Sequence, residues 1–134
     1  MRLRRDVRDW VVKAEEDFAV VETLGRRCRP ALQTAVCFHA QQCAEKYLKA
    51  LLTRDRITFP KTHDLLDLLV LAKQCDPTIE LIRPHVEFLE PYAVNLRYPG
   101  EGATRAEAQR SVRAITQARE ALRRLLGCSE KSPV

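Results

Sequence analysis

In the stretch His39-Ala40-Gln41-Gln42-Cys43-Ala44-Glu45-Lys46-Tyr47-Leu48-Lys49, the side chains suit contact with a phosphate and a base. Lys46 and Lys49 could neutralise phosphate charge, and Gln41 or Gln42 could read a base edge or pair across helices. His39 stands at the margin of an apolar arc, where it could face a cleft with Gln42 and Lys46 on the same flank. Gln42 and Lys46 are four apart, as are Gln41 and Glu45, so on a helix each pair stacks along the surface. The competing reading makes His39 and Gln41 hydrogen-bonded groups at a helix or dimer interface and leaves the lysines solvated, because buried polar groups are normally paired for structural reasons.

Further along, Arg97-Tyr98 sets a planar guanidinium beside an aromatic ring, a combination that can hold a phosphate bidentately and stack a base. Alternatively, Arg97 caps a helix end and Tyr98 packs under its loop. His63 lies in Lys61-Thr62-His63-Asp64, where fixing a loop competes with proton transfer, since histidine acts as a general base only with a positioned partner. His39, His63 and His85 are far apart in sequence and the carboxylates between them lack ligand spacing, so no metal set is indicated. Without a Walker loop or a G-x-G-x-x-G, a nucleotide would be held by helix termini and basic side chains. Cys37 and Cys43 lie on an apolar helix face that disfavours their thiolates, which argues against nucleophilic catalysis. No cofactor is expected.

These residues need helices to position them. From Pro30 to about Arg54, Leu32, Val36, Cys43, Tyr47 and Ala50 fall in one arc, and Ala40, Ala44, Leu48 and Leu51 widen it to nearly half the cylinder. Gln42, Glu45, Lys46 and Lys49 occupy the other side. So broad an arc needs several neighbours, and this helix is expected to be the inner one of a bundle. A first helix is predicted from about Asp6 to Arg27, with Trp10 and Phe18 as core anchors. A third is predicted from about His63 to Gln74 with Thr62 as its N-cap, and a fourth from about Ile79 to Asn95, bent or started by Pro84 and Pro91. The fifth follows a Thr104-x-x-Glu107 capping box and stops at Gly127. The expected fold is all-α, an antiparallel up-and-down helical bundle of four long helices plus a short fifth, as one domain over residues 1–127 with a disordered tail over 128–134.

A chain of 134 residues with 46% hydrophobic content suits a single core. Its net charge of +5 makes an anionic partner plausible, although the 23 basic residues are dispersed and also suit a solvated face. Five cysteines without a C-x-x-C pair indicate a reducing compartment. Met1-Arg2-Leu3-Arg4-Arg5 has no apolar signal region and no run of 18 apolar residues occurs, so a cytoplasmic protein without a membrane partner is expected.

The segment Phe38–Leu52, FHAQQCAEKYLKALL, resembles the signature helix of the HEPN family (higher eukaryotes and prokaryotes nucleotide-binding), small helical-bundle proteins of bacteria and archaea. Ala14-x-x-Asp17-Phe18, Lys61-Thr62-His63-Asp64-Leu65 and Arg97-Tyr98-Pro99 match further pieces in the family's order. The resemblance implies a homodimer, often encoded beside a minimal nucleotidyltransferase as a toxin–antitoxin-like pair. It also implies either metal-independent ribonuclease activity or a non-catalytic nucleotide-binding role. The ribonuclease members carry Arg, four to six residues, then His. No histidine follows Arg97 at that distance, and Arg56 and His63 are the one pair with the spacing. The leading expectation is therefore a nucleotide- or RNA-binding partner of a nucleotidyltransferase, with His39, Gln42, Lys46, Lys49, Arg97 and Tyr98 around its cleft. One alternative is a ribonuclease toxin using Arg56 and His63, or Arg97 with a histidine from the other subunit. The other is an assembly module without a ligand.

Overall fold

Pro30 opens a 25-residue helix that every later feature leans on. The computed structural model describes residues 2–27, 29–94 and 99–128. Its elements are α1 (Arg5–Gly25), α2 (Pro30–Arg54), α3 (Leu65–Ala72), a 3-10 segment (Pro77–Ile82), α4 (Arg83–Leu89), a second 3-10 segment (Glu90–Ala93) and α5 (Arg105–Leu126). Among the described residues there is no strand, and no helix is long and apolar enough to cross a membrane.

The chain is all-helical as expected, and α2 has the predicted ends. Pro30 takes the first helical position, where a missing N–H leaves nothing unpaired. α5 begins with both bonds of the Thr104–Glu107 capping box, each 3.1 Å, and ends where Gly127 adopts φ +78°.

Two expectations are corrected. The third helix starts at Leu65 and its N-cap is Asp64, whose Oδ1 accepts from the Leu66 and Asp67 amides at 3.0 and 3.1 Å. Thr62 Oγ1 instead accepts from the Asp64 amide, fixing the turn before the helix. The fourth segment is not one long helix: Pro77, Pro84 and Pro91 each open a new short element, because proline is tolerated in a first turn and not inside one. The count becomes three long helices, of 21, 25 and 22 residues, and two short ones, of 8 and 7. The expected tail begins with Cys128, whose amide donates to the Arg123 carbonyl; residues 129–134 lie outside the described residues.

α2 touches α1, α3, α4 and α5. Val36 and Tyr47 are 2% and 0% exposed, and the helix is buried on more than its apolar arc: Glu45 and Lys49, placed opposite that arc by their spacing, are 3% and 6% exposed. Trp10 and Phe59 cover Lys49, with its ammonium 5.5 and 5.9 Å from their ring centroids. Cross-links give the directions. Arg4 donates to the Thr53 and Arg54 carbonyls while Asp17 meets His39 and Lys46, so α1 and α2 are antiparallel. Ser111 meets Cys37, and Arg123 meets Tyr47, so α2 and α5 are parallel neighbours. The chain between them, through α3 and α4, returns it to the end from which α2 departs.

The C-terminus of α2 carries a local strain. Arg56 sits at φ +57°, between a 3.1 Å bond from its amide to the Thr53 carbonyl and a 2.9 Å bond from the Ile57 amide to the Leu52 carbonyl. This is the helix-ending position that glycine favours, and a Cβ there costs about 1–2 kcal/mol. Arg56→Gly is therefore expected to stabilise the fold by about 1 kcal/mol and raise the thermal midpoint by several degrees. Thermal denaturation followed by circular dichroism checks this; a lowered midpoint would contradict it.

Candidate functional site

Three carboxylates on α1 and α2 hold most of the cations expected to meet a ligand. Asp17, 7% exposed, receives Lys46 Nζ at 2.6 Å and lies 2.8 Å from His39 Nδ1. Glu45 lies 2.7 Å from His63 Nδ1 and 3.2 Å from Lys49 Nζ. Facing a carboxylate, Nδ1 of each imidazole carries the proton, so each Nε2 is left as the acceptor in the neutral ring. Glu15 receives Arg119 through Nε and Nη2 at 2.7 and 2.6 Å and also the Tyr47 hydroxyl, and Arg123 donates to that hydroxyl at 3.0 Å. Arg119 in turn stacks on Phe18, with 4.1 Å between the guanidinium carbon and the ring centroid.

The glutamines belong to the same layer. Gln42 donates to Gln41 Oε1 at 2.7 Å, and fully buried Gln41 donates to the His63 carbonyl at 2.9 Å. Among the described residues no buried side-chain nitrogen or oxygen lacks a hydrogen-bond partner. The structure thus brings His39 and Lys46 together on Asp17, and Lys49 and His63 together on Glu45, as internal pairs. Arg97 and Tyr98 lie outside the described residues. Arg56 is exposed at the end of α2, and no contact joins it to His63. The His63 side chain is 70% exposed.

A second region was missed by sequence reasoning. Where α1 ends and α2 and α5 begin, a groove of ≈ 420 Å³ has a floor of Leu24, Leu32, Val36, Ala108 and Val112. Arg29, Arg105, Arg113, Gln33 and Gln109 also line it. Because α2 and α5 are parallel, both helix N-termini, with their partial positive charge, meet at this end. Gly25 permits the closeness: a Cβ there would come within 3.1 Å of Val112 Cγ2. Arg29 and Arg113 are exposed, and no described carboxylate lies within ion-pair distance of either. The segment entering α5 is docked beside α2 by a 2.9 Å bond from the Ala103 amide to Thr34 Oγ1. The signal available in the sequence was spacing: Arg29 and Gln33 are four apart, as are Arg105, Gln109 and Arg113. It became visible only once the two helix starts were known to adjoin.

The Glu15 cluster has a pH signature. Burial pushes the Glu15 carboxyl up, but hydrogen bonds from Arg119 and Tyr47 and the charges of Arg119 and Arg123 outweigh it, holding the group below its ordinary 4.5. A depressed acid contributes stability above its unfolded value, and that contribution is lost as pH falls through the folded one. Glu15→Gln is therefore expected to lose about 3 kcal/mol at pH 7, because Arg119 loses its bidentate carboxylate and Arg123 a neighbouring charge. The gap from the parent should shrink as pH falls below 4.5 toward the lowered folded value, because the parent's unfolded carboxyl then binds a proton that its folded one resists. Urea unfolding at pH 7 and pH 3.5 checks this; an equal gap at both would contradict it.

Comparison with the curated proteins returned no match, and comparison with the solved structures returned none either. A family model, HEPN domain, matches residues 7–125, from the first buried valine of α1 to the last turn of α5. With the match spanning both the paired carboxylate layer and the arginine-lined groove, the chain belongs to the HEPN family.

Proposed function

We propose that this chain is a non-catalytic HEPN subunit that binds a nucleotide or RNA in the groove where α2 and α5 begin. Family membership supports a nucleotide- or RNA-related role. The observation that carries the finer reading is the contrast in pairing: Lys46 and Lys49 face buried carboxylates, whereas Arg29 and Arg113 stand beside an apolar floor without one. A base would lie on Leu32, Val36 and Val112, Gln33 and Gln109 would meet its edge, and the arginines and helix N-termini would hold phosphate. Arg97 and Tyr98 precede in sequence the segment docked on Thr34. His39, Gln42, Lys46 and Lys49 are proposed as its structural support instead of its lining.

In the same reading the protein is a cytoplasmic homodimer and the partner of a minimal nucleotidyltransferase in a toxin–antitoxin-like system. Groove arginines would then meet the nucleotide that such a partner handles. A second reading, a metal-independent ribonuclease, is favoured by one feature: Glu45 orients the His63 ring through Nδ1 while most of the side chain remains in solvent.

AMP titration by calorimetry tests the binding reading. Arg29→Ala and Arg113→Ala are each expected to weaken AMP by about tenfold, and Lys46→Ala to change it little once folded protein is confirmed. Unchanged binding in both arginine variants would sink the proposed site. Incubation with total RNA and a chelator tests the second reading. Our reading expects intact RNA, whereas cleavage abolished by His63→Ala would establish the enzyme.

A further inference from the structure

The basic surface of α5 continues past the groove. Between α4 and α5 lies a second hollow, ≈ 260 Å³, bounded by Pro84, His85, Phe88, Arg110, Arg113 and Gln117. Arg113 borders both hollows and so stands between them on α5. Between Arg105 and Gln117 the helix rises about 18 Å, more than a mononucleotide would occupy.

Arg110 is the distinctive residue. Its guanidinium carbon sits over the Phe88 ring, 4.2 Å from the centroid, while the residue stays exposed. No described carboxylate lies within ion-pair distance of Arg110, whereas further along α5 Arg119 and Arg124 are paired with Glu15 and Glu120. A guanidinium seated over an aromatic ring and lacking an acidic partner offers a nucleobase a plane to stack on and a phosphate a donor. An acidic peptide would use the charge but would leave that plane without a flat partner.

We infer that the α4–α5 hollow is a second nucleotide subsite and that the ligand is a single-stranded oligoribonucleotide laid across α5. A base stacks on the Arg110 plane, His85 and Gln117 meet its edge, and Arg113 holds the phosphate between the two subsites. This rests on the reading that the first groove takes a nucleotide.

The test compares AMP with a fluorescent single-stranded hexa-adenylate, by calorimetry and by anisotropy, on the full chain. Hexa-adenylate should bind more tightly than AMP. Arg110→Ala should weaken the hexamer by about tenfold and leave AMP unchanged, and Arg110→Lys, which keeps the charge but not the plane, should recover little of the loss. Arg29→Ala should weaken both ligands. A hexamer that binds no tighter than AMP, indifference to Arg110→Ala, or full recovery in Arg110→Lys would each overturn the stacked subsite while leaving the first groove standing. Failure of the parent protein to bind either ligand would overturn the first groove and the inference together.

Discussion

Asp17, Glu15 and Glu45 are sequestered on α1 and α2, and their need for counter-charge decides where the basic residues of this chain are available. A buried carboxylate without a partner costs several kcal/mol, so each draws cationic or imidazole groups inward: Lys46 and His39 to Asp17, Arg119 to Glu15, Lys49 and His63 to Glu45. These pairs join α1 to α2, α1 to α5, and α2 to the segment before α3. They also tie up Lys46 and Lys49, the positive charge that the signature helix offers when read as a string.

Two arginines that no described carboxylate pairs, Arg29 and Arg113, stand at one end. The parallel course of α2 and α5 brings two helix N-termini together, and Arg29 before α2 and Arg113 on α5 add full charges to their partial ones. The apolar floor between them exists because α1 stops at Gly25, close against Val112. Helix ends, a small residue at a close approach and unpaired arginines thus coincide at a place where a base and a phosphate can both be satisfied. The carboxylate pairs farther along α2 hold it against α1 and the segment before α3.

Much of this fold can be read from local chemistry. Pro30 and the wide apolar arc define α2, and the Thr104–Glu107 box and Gly127 define α5, because caps and stops are short-range interactions. Helical spacing could not distinguish an α-helix from the 3-10 segments around α4, since Ile79, Ile82, Val86 and Leu89 suit either over a turn or two. Thr62 and Asp64 both have capping side chains, and only the geometry decides between them. For the site, spacing misled in one respect. Lys49 stands on the side away from the apolar arc until Trp10 and Phe59, distant in sequence, are seen to cover it. The groove combines residues from three helices, and its arginines look dispersed until α2 and α5 are known to run the same way.

The central claim is that ligand-accessible charge lies at the shared start of α2 and α5 and not along the signature helix. Amide chemical-shift mapping during an AMP titration tests it most directly. The largest perturbations are expected at Arg29, Gln33, Val36, Ala108, Val112 and Arg113, with His39, Lys46 and Lys49 nearly unmoved. Perturbations centred on His39 to Lys49, with the start of α5 silent, would contradict it.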